Sequence, residues 1–232
     1  VDKVTQTSAR ARVRDELTRE IKETARRQLA EHGSAGLSLR AVARELGMVS
    51  SAMYRYFPSR EDLLTALLLD AYDAVGTAAE AAESAVRRRN LLGRWLAVTG
   101  ATRAWALAQP HEYALIFGPL SGYRTPAGMS DPAARIPLLV IELVSDAVRA
   151  GRGPAGDGRP LPRAVRVDLK PVHSSVAPVL SERQLAATVM AGTELVGSVS
   201  FELFGHLHGV IRDHRSYFDY HMQSVGHRLG LA

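Results

Sequence analysis

Five residues clustered between positions 50 and 55 carry the side chains best suited to chemistry: Ser50, Ser51, Ala52, Tyr54 and Arg55. The hydroxyls can hydrogen-bond phosphate oxygens or base edges, Arg55 can neutralise a phosphate, and no carboxylate lies among them. That composition suits the approach to a polyanion rather than the making of a bond. Signatures of catalysis are missing from the sequence. There is no cysteine, so no thiolate nucleophile, disulfide or cysteine-ligated metal. There is no G-x-S-x-G elbow, phosphate loop or H-E-x-x-H. His206, His208, His214, His221 and His227 gather late in the chain without the spacing of a metal site. Neither a cofactor nor an enzymatic activity is expected.

The elements that must position these residues are two short helices and a turn. Ser38 is a good N-cap, because its hydroxyl can accept from a first-turn amide. Leu39, Val42, Ala43 and Leu46 follow at helical spacing, with Arg40 among them. Gly47 supplies a left-handed stop. After Val49 a second helix starts near Ser50 and runs through Met53 to Phe57, where Pro58 ends it. Met53 and Phe57 face the core with Val42, Ala43 and Leu46, which turns positions 50, 51, 52, 54 and 55 outward. This is the helix-turn-helix layout, whose second helix enters a DNA major groove. An ordinary helical hairpin would share the generic pattern.

The stretch GLSLRAVARELGMVSSAMYRYFPSREDLL resembles the DNA-binding signature of the TetR family of bacterial transcriptional regulators. The match is carried by Met53-Tyr54-Arg55-Tyr56-Phe57 and by Pro58 to Leu64, with Ala25, Leu29 and Gly33 at the family's first-helix positions. It covers roughly the first seventy residues. Val49 stands where the family usually has Ser or Thr, and Ser50-Ser51-Ala52 where it usually has Lys-Gly-Thr. These departures bear on which DNA sequence is read, not on the mode of binding. The resemblance implies DNA contacts from Ser38, Arg40, Val49, Ser50, Ser51, Ala52, Tyr54, Arg55 and Arg60. It also implies an all-α fold: a helix-turn-helix domain over residues 1–58, then a helical effector-binding and dimerisation domain over 59–232.

The rest of the chain reads as helices and loops. Residues 1 to about 13 form a polar arm, and Arg10, Arg12 and Arg14 either track DNA or lie on a solvated terminus. A first helix is expected from about Arg14 to Glu31, buried along Leu17, Ile21, Ala25, Gln28 and Leu29. A long helix follows Ser59, whose spacing to Asp62 is a capping pattern, and reaches Ser84. Arg87-Arg88-Arg89 marks a turn that is either a solvated loop or a DNA-facing patch. Helices are then expected over 90–109, after Pro110, and from Asp131-Pro132 to Gly151. Leu120–Asp131 reads as loop. So does the long segment 151–180, where Gly151, Gly153 and Gly156 match G-x-G-x-x-G without the strand and helix that a dinucleotide site needs. Ser181 and Gln184 open a helix running to about His208, and Ser216 and Asp219 open the last one.

Net charge is +5, compatible with an anionic partner. No apolar run is long enough to span a membrane, and a cytoplasmic location is expected. The last two helices either complete the chain's own core or pair with a second copy. TetR-like proteins pair there, which implicates Val189, Val196, Val199, Leu203, Phe218, Met222 and Val225. The resemblance also implies a small, largely apolar effector. Trp95, Trp105, Tyr113, Phe117 and Phe201 are candidates for its pocket, with Arg103, Glu142, Glu194 or Glu202 as polar anchor; core positions, internal ion pairs and surface positions are the alternatives. The leading expectation is a homodimeric repressor released from double-stranded operator DNA by that effector. A sequence-tolerant architectural DNA-binding protein is the other reading.

Overall fold

The computed structural model describes residues 2–118, 132–154 and 159–232, and among them every regular element is helical. The expected loop at 120–131, the cap at Asp131 and Gly156 lie wholly or largely outside the described residues. Helix α1 spans Asp2–Gly36, with a break in helical geometry at Gly33 (φ 68°, ψ 178°). It therefore starts well before Arg14. Nothing in the preceding sequence breaks a helix, since neither glycine nor proline occurs ahead of Gly33. The basic arm is part of α1, not an extended tail.

One compact unit runs to Ala71 and takes in α6 from His111. It holds α1, α2 (Leu39–Glu45), α3 (Ser50–Met53), the first half of α4 (Arg60–Ser84), and α6 (Pro110–Phe117). Its core is made by Ile21, Ala25 and Leu29 of α1, Leu39, Val42 and Ala43 of α2, Met53, Phe57, and Leu63, Leu64 and Leu67 of α4. Those α4 residues recur at helical spacing and give α4 one continuous buried face. Ser59 accepts from the Asp62 amide (3.0 Å) and donates to its carboxylate (2.7 Å), the local signal that starts α4. Asp70 of α4 receives Lys22 (2.8 Å) and Arg26 (2.6 Å) from α1, and Arg26 also reaches Glu112 of α6 (3.0 Å). Burial pushes the Glu112 carboxyl above its ordinary value, Arg26 opposing and Asp70 adding to the shift.

The second unit begins at Tyr72 and holds α5 (Leu91–Ala108), α7 (Arg135–Arg149), α8 (Arg163–Val176), α9 (Glu182–Leu203) and α10 (His214–Arg228). Asn90 caps α5 by accepting from Gly93. Around α5 pack α7, α9 and α10. Trp95 is fully buried and donates its indole N–H to the Met222 carbonyl of α10 (2.7 Å). Helix α8 replaces the long loop expected over 151–180. Its flanks are rich in glycine and proline and it carries Pro171 internally, which hid a helix that leans on α9 through half-buried Leu169, His173 and Val176. Helix α9 ends at Leu203, short of His208, and Asp213 rather than Ser216 caps α10, accepting from the Ser216 amide (2.9 Å).

Buried charge ties this unit together. Arg94 of α5 is fully buried and bonds Glu83 at the end of α4 and Asp146 of α7 (2.9 Å). Its Nη2 finds no partner. Arg135, opening α7, reaches back to Glu80 (2.8 and 2.6 Å) and Thr77 (3.0 Å) of α4, passing over Gly76, where a Cβ would stand 2.8 Å from its Cδ.

Removing one partner of a buried ion cluster strands the others in low dielectric. Arg94→Met is expected to lower unfolding stability by about 3 kcal/mol in urea titration, and adding Glu83→Gln and Asp146→Asn should recover part of it. In the first unit, Arg27 and Gln28 of α1 hydrogen-bond Glu45 of α2 (2.9 and 3.2 Å) and hold its carboxyl below the usual range. A depressed carboxylate pKa means that this stabilisation is present above the unfolded-state value and is lost as pH falls through the native one. Acidification should therefore speed hydrogen exchange of the α2 amides, and Glu45→Gln should remove that acid-dependent component.

Candidate nucleic-acid interface

The turn between α2 and α3 is built by backbone geometry. Gly47 sits at φ 66° and donates to Arg44 (3.2 Å), while Met48 donates to Ala43 (2.8 Å). Together these two bonds close the helix end as a Schellman motif. Ser38 stands at the N-cap of α2 in extended conformation, but its side chain makes no capping bond, contrary to the expectation from sequence.

Helix α3 is a single turn. Beyond Met53 the chain runs as turns: Arg55 donates to Ala52 (3.2 Å), and Tyr56 (2.9 Å) and Phe57 (3.1 Å) both donate to Met53, a mixture of i→i+3 and i→i+4 bonds in place of the regular helix expected through Phe57. Phe57 precedes a proline and must leave the α region, which shortens the element. Met53 is fully buried, Phe57 nearly so, and both anchor the segment in the core of the first unit. Val49, Ser50, Ser51, Tyr54 and Arg55 are exposed, and Ala52 is half-buried. Arg40 is exposed on α2. The structure thus gathers Val49, Ser50, Ser51, Ala52, Tyr54 and Arg55 on one short segment with hydroxyls and one cation outward.

Arg60 behaves differently from the expectation of a phosphate contact. Its Nε donates to the Leu37 carbonyl (3.0 Å) and its Nη2 to the Ser34 carbonyl, while Nη1 lies 3.4 Å from Glu61. It satisfies the carbonyls left by the break in α1 and fixes the entry into α2. Arg12 and Arg14 are exposed on α1, and Arg10 lies on the same helix. The Arg14 guanidinium stands 6.0 Å from the Tyr56 ring centroid, which brings α1 beside the end of the recognition segment.

The residues expected at an effector pocket are distributed over both compact units. Tyr113 and Phe117 pair as rings (4.9 Å) on α6 and fall in the first unit. The others belong to the second. Trp95 is core and Trp105 half-buried. The proposed polar anchors are committed to ion pairs: Arg103 grips Glu202 with two bonds (2.7 and 2.5 Å) beneath Phe218, Glu142 pairs with Arg88 at the surface (2.5 Å), and Glu194 receives Arg228 and His221 (3.0 Å). Phe201 is 53% exposed. Arg88 thus leaves the basic triplet to meet α7, with Arg87 and Arg89 exposed. Arg94 carries the same sequence signal as Arg103, a charge inside the apolar helix α5.

The expected dimer residues also divide. Val199, Phe218, Met222 and Val225 are buried inside the single chain and are core. An apolar stripe in sequence does not say whether its own chain or a second copy covers it. Val189 is exposed, and Val196 and Leu203 are half-buried. Besides Val189, the apolar surface that α9, α10 and their connection leave open includes Met190, Phe201, Phe204, Val210, Tyr217 and Tyr220. No helix among the described residues is long and apolar enough to cross a membrane.

Comparison with known proteins agrees with this architecture. Residues 21–67 match the family model described as bacterial regulatory proteins, tetR family, and residues 95–225 match the tetracyclin repressor-like, C-terminal domain. The HTH-type transcriptional regulators Mb1846 of Mycobacterium bovis and Rv1816 of Mycobacterium tuberculosis are each 36% identical over 197 residues, covering 83% of this chain and 82% of theirs. The crystal structure of SCO4313 superposes with a TM-score of 0.73 at 31% identity, over 93% of this chain and 97% of that one. A tetR-family regulatory protein from Rhodococcus RHA1 shares the fold at 15% identity, with a TM-score of 0.63 over 93% of this chain and 97% of its own. The chain is a transcriptional regulator with a helix-turn-helix DNA-binding domain, and it belongs to the TetR family.

Proposed function

We propose that this regulator acts in the cytoplasm as a homodimeric repressor that leaves its operator when a small, largely apolar effector binds. The observation that carries the DNA contact is the acid-free outward face of α3, anchored from behind by Met53 and Phe57. Ser50, Ser51 and Tyr54 offer hydroxyls there and Arg55 a charge, with Ser38 and Arg40 on the adjoining α2 and Arg12 and Arg14 on α1. Arg60 serves this surface as a brace. In functional terms, residues 1–58 are the DNA-binding domain and 59–232 the effector-binding and dimerisation domain.

Support for the dimer comes from α9. Gly192 and Gly197 lie inside this helix, where glycine costs about 1 kcal/mol relative to alanine. A Cβ at either position would meet nothing within 4 Å in the chain itself. Met190, Gly197 and Phe201, spaced seven and four apart, lie on one face of α9, and with Met190 and Phe201 exposed that face suits the close approach of a second copy. Paired recognition segments then match half-sites about 34–36 Å apart. Support for the effector is the match of 95–225 to the family's C-terminal domain. Because Arg103, Glu142 and Glu194 are already ion-paired, apolar contact and shape are the means left to hold a ligand. Helix α6 follows α5 after Gln109 alone and is held to α1 through Glu112 and Arg26, so a shift of α5 that moved α6 would reach α1.

Binding to the DNA beside the protein's own gene, against random DNA at two salt concentrations, tests the reading. Specific binding at two protomers per site is expected. Equal binding to both DNAs with steep salt dependence would instead favour an architectural protein. Arg55→Ala should weaken operator binding about tenfold and flatten the salt dependence by about one counterion per half-site; unchanged binding would remove Arg55 from the contact surface. Gly197→Leu fits the single chain and should shift sedimentation from dimer to monomer. A dimer of undiminished affinity would place the interface elsewhere.

A further inference from the structure

We propose that Val49 reads a thymine methyl group in each operator half-site. This inference rests on α3 being the DNA-contacting element and deepens that reading by naming what part of the base is recognised. Val49 is 69% exposed, although it is an aliphatic residue, and it stands at the N-cap of α3 with extended backbone (φ −71°, ψ 139°) and no side-chain capping bond. Both facts are unfavourable within the chain. Valine is among the poorest N-cap residues, whereas a serine or threonine oxygen there would satisfy a first-turn amide. An exposed isopropyl group gains nothing from packing. The neighbouring outward positions show that the segment accepts polar residues, since Ser50 and Ser51 are both exposed.

The surroundings select the partner. Val49 adjoins Ser50, Ser51, Tyr54 and Arg55, a hydrogen-bonding and cationic surface free of carboxylates, and the half-buried methyl of Ala52 lies one turn along on the same side. A duplex that meets this surface in the major groove presents phosphates, base donors and acceptors, and one apolar feature, the C5-methyl of thymine. Among the base edges of the major groove, an apolar side chain has no other methyl group to meet. Phosphate contacts by the hydroxyls and Arg55 set register, and Val49 discriminates T·A from the other pairs at one position.

The test uses the full chain and duplexes enriched by it from a randomised pool. Each thymine of the enriched half-site is replaced in turn by deoxyuridine, which removes the methyl and preserves base pairing. One position per half-site should weaken binding about fourfold, the value of one buried methyl group. Val49→Ser should bind thymine and deoxyuridine duplexes equally and, because its hydroxyl caps α3, should melt at a higher temperature than the native protein. If no deoxyuridine substitution weakens the native protein, or if Val49→Ser keeps the thymine preference, the proposal is overturned while the DNA-binding reading stands. If the pool is bound but no sequence is enriched, this proposal and the operator-specific reading fall together.

Discussion

Met53 sits fully buried at the end of a helix only four residues long, and the placement of the DNA-facing surface depends on that burial. A single turn cannot hold itself, because nucleating a helix costs more than one turn of hydrogen bonds returns. The orientation of α3 is therefore set from outside. Met53 and Phe57 are drawn into the core made by α1, α2 and α4, and the Gly47 turn limits how the chain may leave α2. Ser50, Ser51, Tyr54 and Arg55 point outward as a consequence. Burying one methionine contributes about 2–3 kcal/mol, enough to hold a turn whose own backbone bonds are marginal.

Several arginines of this chain are structural residues. Arg60 serves the carbonyls of Ser34 and Leu37, Arg26 joins Asp70 to Glu112, Arg94 lies buried between Glu83 and Asp146, Arg103 clasps Glu202, and Arg135 reaches Glu80. The planar fork of a guanidinium suits it to several acceptors at once. Net charge alone therefore says little about which surface meets DNA. What distinguishes the α3 surface is the absence of carboxylates near Arg55, which leaves that cation uncompensated by its own segment.

The same distinction explains the polar residues of the second unit. A charge in an apolar helix signals either a ligand anchor or an internal pair, and burial favours the pair whenever a partner lies within reach, since an uncompensated charge in low dielectric is costly. Arg103 and Glu202, ninety-nine positions apart in sequence, meet because α5 and α9 pack together. Glu194 likewise finds Arg228 and His221 because α10 lies beside α9.

Much of the fold was legible in local sequence. Helix periodicity, the stop at Gly47, Pro58 after Phe57, the cap at Ser59 and the capping box of Ser181 with Gln184 are interactions between residues a few positions apart, so the chain states them directly. The outward face of the recognition segment followed from Met53 and Phe57 for the same reason. Other features needed partners distant in sequence. Helix α8 is amphipathic and its apolar side has meaning only against α9. Phe218, Met222 and Val225 are as apolar as any dimer surface, and only the packing of α10 on α5 made them core. Arg60 became a brace because the carbonyls of Ser34 and Leu37 turn toward α4. Sequence by itself determined the elements and their motif, because local hydrogen bonding and periodicity are short-range; tertiary structure decided which faces and charges were already satisfied, because burial and ion pairing depend on neighbours that the chain brings together only by folding.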